Sequence, residues 1–116
     1  MLADLNTPGA ESAKKFYSYV FGWEMSPVDH DTSGYLHIKN GRDFIGGVPS
    51  ESQRDRQAPP HWMLYFAVAD VDATAAKVRQ TGGQLLMEPL TMQDVGRMAA
   101  VRDPQGSAFF LFKSAR

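Results

Sequence analysis

Residues 7–23 run Thr7-Pro8-Gly9-Ala10-Glu11-Ser12-Ala13-Lys14-Lys15-Phe16-Tyr17-Ser18-Tyr19-Val20-Phe21-Gly22-Trp23. Ala13, Phe16, Tyr17 and Val20 fall at i, i+3, i+4 and i+7, one face of an amphipathic helix. Thr7 and Pro8 read as its N-cap and first helical residue, and Gly22 as its stop. Before it, Leu2 to Asn6 alternates as a strand does. After it, Trp23-Glu24-Met25 begins a strand that Pro27 ends, and Tyr35-Leu36-His37-Ile38 makes another. Asn40-Gly41 marks a tight hairpin, because both turn positions need positive φ. Phe44-Ile45 then opens a strand running into Gly46-Gly47. The order is βαβββ.

The second half repeats that order. Trp62 to Val68 is a strand, and Asp70 or Asp72 can cap a helix with Val71, Ala75 and Val78 on one face. Gly82-Gly83 ends it, Gln84 to Met87 is a strand stopped by Pro89, and Arg97 to Val101 is the next. Asp103-Pro104-Gln105-Gly106 suits a type I turn, and Ala108 to Phe112 is the last strand. Gly22 matches Gly83 at an offset of 61, and Gly41 matches Gly106 at 65. Such a repeat is the mark of a duplicated module. Pro49 to Pro60, rich in polar and charged residues, reads as the linker. The expectation is one domain over 1–116, with modules at about 1–48 and 61–116 and a linker at about 49–60.

The 116 residues carry a formal net charge of −1 and a pI of about 6.3. Nucleic-acid binding needs a basic face to neutralise phosphates, and the composition supplies no such excess. Nor is there the strongly acidic balance that would trap a large cationic drug. The chain has no cysteine, which excludes disulfides, thiolate zinc sites and a cysteine nucleophile. The N-terminal residues show no secretory pattern, and no apolar run reaches membrane-span length. The reading is a cytoplasmic protein with no membrane partner.

Three motifs in order carry a family resemblance. The first is Thr7-Pro8-Gly9 through Phe16-Tyr17 to Phe21-Gly22-Trp23, with Gly9 where an aspartate is usual. The second is Val68-Ala69-Asp70-Val71-Asp72-Ala73, and the third is Gly96-Arg97 followed by Asp103-Pro104-Gln105-Gly106. Together they resemble the vicinal oxygen chelate superfamily, the glyoxalase, bleomycin-resistance and extradiol-dioxygenase type. The resemblance implies an α+β fold: two βαβββ modules forming curved mixed sheets around a shared cavity, helices outside. It implies a homodimer, with modules paired within one chain or swapped between two. In metal-dependent members a divalent ion sits on side chains of the first and last strands of each module. Aligning H-x-x-F-x-V-x-D on Asp70 puts a ligand position at Met63, and aligning D-P-x-G-x-x-x-E on Gly106 puts another at Phe110. The repeat places the others near Leu2 and Ile45. All four are apolar and lack the nitrogen or carboxylate oxygen a divalent ion needs. No metal and no cofactor is expected.

The candidate ligand-contact residues are Asp4, Tyr65, Met63, His37, Phe110 and Trp23. Asp4 and Asn6 share the face of Leu2 by the period of two, and a buried carboxylate there is a candidate base. Tyr65 shares the face of Met63 and offers both a ring and a hydroxyl. His37 lies mid-strand with Tyr35 and Lys39 on its face, a candidate general base. His61 is a loop residue or a displaced ligand, and His30 a loop residue. Trp23, Met25, Met87, Met98 and Phe112 suit either a cavity lining or core. Arg97 suits an anionic ligand or a structural hydrogen bond. Trp62, Leu64, Phe66 and Val68 take the opposite face of their strand and should pack under the second helix. Gly46-Gly47 permits close backbone approach but is no phosphate loop.

These observations favour a metal-independent small-molecule-binding protein whose ligand is apolar or aromatic. The alternative is a metal-free enzyme, resembling isomerase, cyclase or hydroxylase-like members, with Asp4, His37 or Tyr65 as acid or base. A metal-dependent lyase or dioxygenase, built on a displaced site at His61, His37 or Asp4, ranks third.

Overall fold

The computed structural model describes residues 2–29 and 31–115; His30 lies outside them. The elements in order are β1 (Leu2–Asn6), α1 (Ala10–Phe21), β2 (Glu24–Ser26), β3 (Leu36–Asn40), β4 (Asp43–Val48), β5 (His61–Ala67), α2 (Val71–Gln80), β6 (Gln84–Met92), β7 (Gly96–Arg102) and β8 (Ala108–Ser114). This is an α+β fold made of two successive βαβββ series. The chain divides into two compact units, Leu2–Met63 and the residues from Leu64 onward.

In the N-terminal unit the strand order is β2-β3-β4-β1. β1 runs parallel to β4, and the other pairs are antiparallel. Leu5, Met25, Ile38 and Val48 form the buried core on one face, with Ala13 and Tyr17 of α1 packed against it. Burying each large apolar side chain of this kind stabilises by roughly 1.5–3 kcal/mol. A bulge between Ile38 and Lys39 puts an extra residue, Ile45, into β4. The bulge turns Ile45 onto the core beside α1.

Helix α1 begins two residues later than Thr7-Pro8 suggests. Its N-cap is Gly9, which makes no side-chain cap; Gly9 replaces the usual aspartate, so the start rests on the Ala13 N–H to Gly9 carbonyl bond, 2.8 Å. Gly22, at φ 73°, closes the helix in the left-handed region. The segment between β4 and β5 folds back on its own unit. Arg54 makes a bidentate pair with Glu51 at 2.8 and 2.9 Å, and Asn6 Nδ2 donates to the Asp55 carbonyl at 3.0 Å. The boundary between the compact units accordingly falls after Met63 rather than inside this segment.

In the C-terminal unit the order is β5-β8-β7-β6, with β5 parallel to β8. The core is Val71, Ala75, Ala99, Val101 and Leu111, with Val68, Val78, Leu85 and Phe109 packed around it. Asp70 caps α2 by accepting from the Ala73 N–H at 3.0 Å. Asp72 instead pairs with Arg97. The Gly83 N–H returns to the Val78 carbonyl at 2.9 Å, closing α2. Pro89 does not stop β6, which runs on to Met92. β6 is an edge strand in this unit, and its register shifts between Met87 and Leu90, where a missing N–H is tolerated. Among the described residues no helix is long and apolar enough to cross a membrane.

Candidate functional site

Each sheet has one face under its helix and one face without a helix of its own. In the N-terminal unit the second face is polar. Asp4 pairs in register with Gly47, and Gly47 with His37, so the three share a row across β1, β4 and β3. Tyr35 lies two residues before His37. Its Oη donates to Asp4 Oδ1 at 2.6 Å. The phenol reaches Asp4 by lying over Gly47, where a Cβ would come within 1.9 Å of Tyr35 Oη. Asp4 is only 9% exposed and Asn6, next on the same face, 8%. Asn6 Nδ2 is held by Asp55, while Asn6 Oδ1 has no hydrogen-bond partner among the described residues.

Two further rings continue from Tyr35 along β3 and β4. The Tyr35 and His37 rings meet edge to face at 5.2 Å, and the Phe44 ring lies 4.9 Å from that of His37. Burial pushes the His37 imidazole below its ordinary value of 6.5, and nearby Lys39 acts in the same direction; Asp31 and Asp4 oppose them. The imidazole is therefore neutral at pH 7, with one nitrogen able to accept and the other to donate.

The corresponding face of the C-terminal unit is apolar. Tyr65 stacks on Phe110 at 4.4 Å and meets Phe112 edge to face at 5.8 Å. Tyr65 and Phe110 are register partners across β5 and β8. Phe109 and Leu111 point to the α2 side, so Phe110 and Phe112 take the other. Met98 pairs with Phe112, and Leu90 with Met98, extending the apolar surface across β7 and β6. Met63 lies two residues before Tyr65 on β5.

Two expected residues stand elsewhere. Trp23 does not join Asp4 and His37. It stacks with Phe21 at 4.6 Å and Tyr17 at 5.6 Å, on the α1 side. Trp62 packs not under α2 but edge-on to Tyr17 and Trp23, at 5.4 and 6.1 Å. This aromatic cluster borders a groove of about 400 Å³, lined by Leu5, Ser12, Phe16, Tyr17, His61 and Trp62 among others. His61 Nδ1 donates to the Pro59 carbonyl at 2.8 Å. None of the groove's lining residues belongs to the Asp4–Tyr35–His37 face. Arg97 is committed to structure: its Nε and Nη2 bind the two Asp72 oxygens at 2.6 and 2.7 Å, and its Nη1 binds Thr91.

Tyr35, Phe44 and Gly47 were not among the expected contacts. The alternation Tyr35-x-His37 is visible in the sequence. The glycine that lets the phenol cross to β1 acquires its meaning only once β4 is seen to lie between β3 and β1.

Leu2, Ile45, Met63 and Phe110 do not fit a divalent metal. One thioether is their whole donor set, and Ile45 faces the core beside α1. Among the described residues no three His, Asp or Glu side chains come together as a metal site.

The sequence matches the family described as the Glyoxalase/Bleomycin resistance protein/Dioxygenase superfamily over residues 2–111. CFP32 of Mycobacterium tuberculosis, provisionally named a glyoxylase, is 37% identical over 116 residues, covering 97% of this chain and 44% of its own length. The anthracycline biosynthesis protein DnrV of Streptomyces peucetius is 30% identical over 123 residues, covering 95% and 45%. The chain thus spans under half the length of these curated relatives. A superfamily member from Vibrio splendidus 12B01 superposes with a TM-score of 0.67 at 13% identity, covering 97% of this chain and 96% of that one. Methylmalonyl-CoA epimerase from Mycobacterium tuberculosis gives 0.65 at 16%, covering 98% and 86%. At those identities the two structures speak for the fold alone. By its match over residues 2–111 and its identity to these relatives, the chain belongs to the glyoxalase, bleomycin-resistance and dioxygenase superfamily.

Proposed function

We propose that this protein binds a small apolar or aromatic molecule without a metal ion. The observation that carries the reading is the Tyr65–Phe110–Phe112 cluster on the sheet face away from α2. Stacked rings offer a flat ligand a large dispersion and desolvation gain, and Tyr65 adds a hydroxyl to orient it. The proposed ligand contacts in the C-terminal unit are Tyr65 and Phe110; taken by itself, the N-terminal unit offers Asp4, His37, Met63 and Trp23 as candidates. Family membership and a relative named for anthracycline biosynthesis support a small-molecule role. Titration with indole and naphthalene, followed calorimetrically with and without EDTA, tests it. The expected result is saturable binding indifferent to EDTA and weakened about tenfold in Tyr65→Ala, a loss of about 1.4 kcal/mol. Binding that requires an added divalent ion overturns it.

A second reading, a metal-free enzyme with Asp4, His37 or Tyr65 as acid or base, is favoured by one observation. A buried carboxylate, a phenol 2.6 Å from it and a neutral imidazole share one face, which is the equipment of acid–base chemistry. Its mark is turnover of a bound ligand that His37→Gln abolishes while binding persists.

A further inference from the structure

The groove beside α1 has a chemistry that neither reading above uses. Every residue that lines it, from Leu5 to Trp62, belongs to the N-terminal unit. Its volume of about 400 Å³ suits one small molecule. Phe16, Tyr17 and Trp62 form its wall, Tyr17 standing edge-on to the other two at 5.0 and 5.4 Å. Those contacts leave ring surface uncovered: Phe16 is 58% exposed and Trp62 37%. The fold does not demand this, because the exposed positions of α2 are Asp72, Ala73, Ala76, Lys77, Arg79 and Gln80, all small or polar. His61, in the same lining, adds a directed polar group. A carbonyl only accepts, so the bond from Nδ1 to the Pro59 carbonyl fixes the hydrogen of a neutral imidazole on Nδ1. Nε2 is left as an acceptor, with no hydrogen-bond partner among the described residues. An aromatic wall with a few placed polar groups is the usual make-up of a small-molecule site.

We infer that this groove binds a flat aromatic molecule bearing a hydroxyl, a phenol, with its ring against Phe16 and Trp62 and its O–H donating to His61 Nε2. Ring surface meets uncovered ring surface, and a donor meets an acceptor that has none of its own. The site lies in the other unit from Tyr65 and Phe110 and is independent of the binding proposed there.

Phenol, anisole and toluene share one ring, and only phenol carries a donor. Each is titrated against the folded protein by heteronuclear NMR at pH 8, where an ordinary imidazole is neutral and a phenol keeps its proton. The chain has two tryptophans, so the indole N–H signal of Trp62 is assigned by its loss in Trp62→Phe. Phenol is expected to shift that signal and to bind about threefold to tenfold more tightly than anisole or toluene, the worth of one hydrogen bond. His61→Phe keeps a ring and removes the acceptor, and should bring phenol down to the level of anisole. Should that variant not fold, Phe16→Ala, at an exposed position, should weaken all three probes alike. Equal affinity for phenol and anisole in the natural sequence overturns the site, as does failure of all three to bind. Shifts confined to Tyr65 and Phe110 also overturn it, while leaving aromatic binding in the C-terminal unit intact. A Trp62 signal that moves with protein concentration alone would show a second copy in the groove and overturn it too.

Discussion

At the scale of single residues, Gly47 and Tyr35 are one device. A methyl group at position 47 displaces the phenol and with it the hydrogen bond to Asp4. Hydrogen bonds to a charged group contribute about 1.5–3 kcal/mol, so Tyr35→Phe and Gly47→Ala should each destabilise by an amount of that order. Because both remove the same bond, the double variant should be little worse than either single one, which urea denaturation of the four proteins measures. Additive losses would separate the two residues. His37 gives a second prediction. Its folded-state value lies below the ordinary 6.5, with burial as the leading cause. The neutral imidazole is therefore favoured by folding, and protons bind more readily to the unfolded chain. Stability owed to this group is complete above pH 6.5 and is lost as pH falls through the lowered folded value. Melting temperature measured from pH 7.5 to pH 5 should fall less steeply in His37→Gln than in the natural sequence; parallel curves would contradict the assignment. Much of this residue-level picture is legible in the sequence, since Asp4, Asn6 and His37 follow from strand alternation. Face parity fails where the backbone is irregular. Ile45 sits at a bulge that turns it to the core, and Trp23, just before the short strand β2, packs with Tyr17 and Phe21 instead of beside His37.

At the scale of elements, the two helices show how one family pattern is met by different means. α2 has a side-chain cap in Asp70, a Schellman-type stop at Gly82-Gly83 and a salt bridge from Asp72 at its first turn to Arg97 on β7. α1 has only a glycine at its N-cap and no fully buried residue. Asp70→Ala should therefore cost about 1 kcal/mol and lower the melting temperature by about 4 °C for a chain of this size. An unchanged melting temperature would mean that packing of Val71 and Ala75 alone holds the helix. Element order and type are readable from periodicity and turn residues, because those signals are local. Element limits are less so. Pro89 reads as a stop in isolation, yet an edge strand with a register shift absorbs it. Thr7-Pro8 reads as a cap, yet the helix begins after Gly9.

At the scale of the whole molecule, the duplicated βαβββ order and the family follow from the sequence, and the chemistry of the two sheet faces follows from the structure. One unit presents a buried carboxylate bonded to a phenol, and the other presents stacked aromatics. Neither pattern supplies the donor set of a divalent metal site, and the positions aligned with ligands in metal-dependent relatives carry Leu2, Ile45, Met63 and Phe110. Under the proposed function, large apolar side chains at these positions bind by ring stacking and desolvation in place of coordination. Metal independence is thus the central claim. Native mass spectrometry of the purified protein, followed by elemental analysis of the same sample, tests it most directly. The expected result is a chain mass without a stoichiometric divalent ion and an organic adduct that Tyr65→Ala weakens. One divalent ion per chain, retained through dialysis and needed for the adduct, would contradict it.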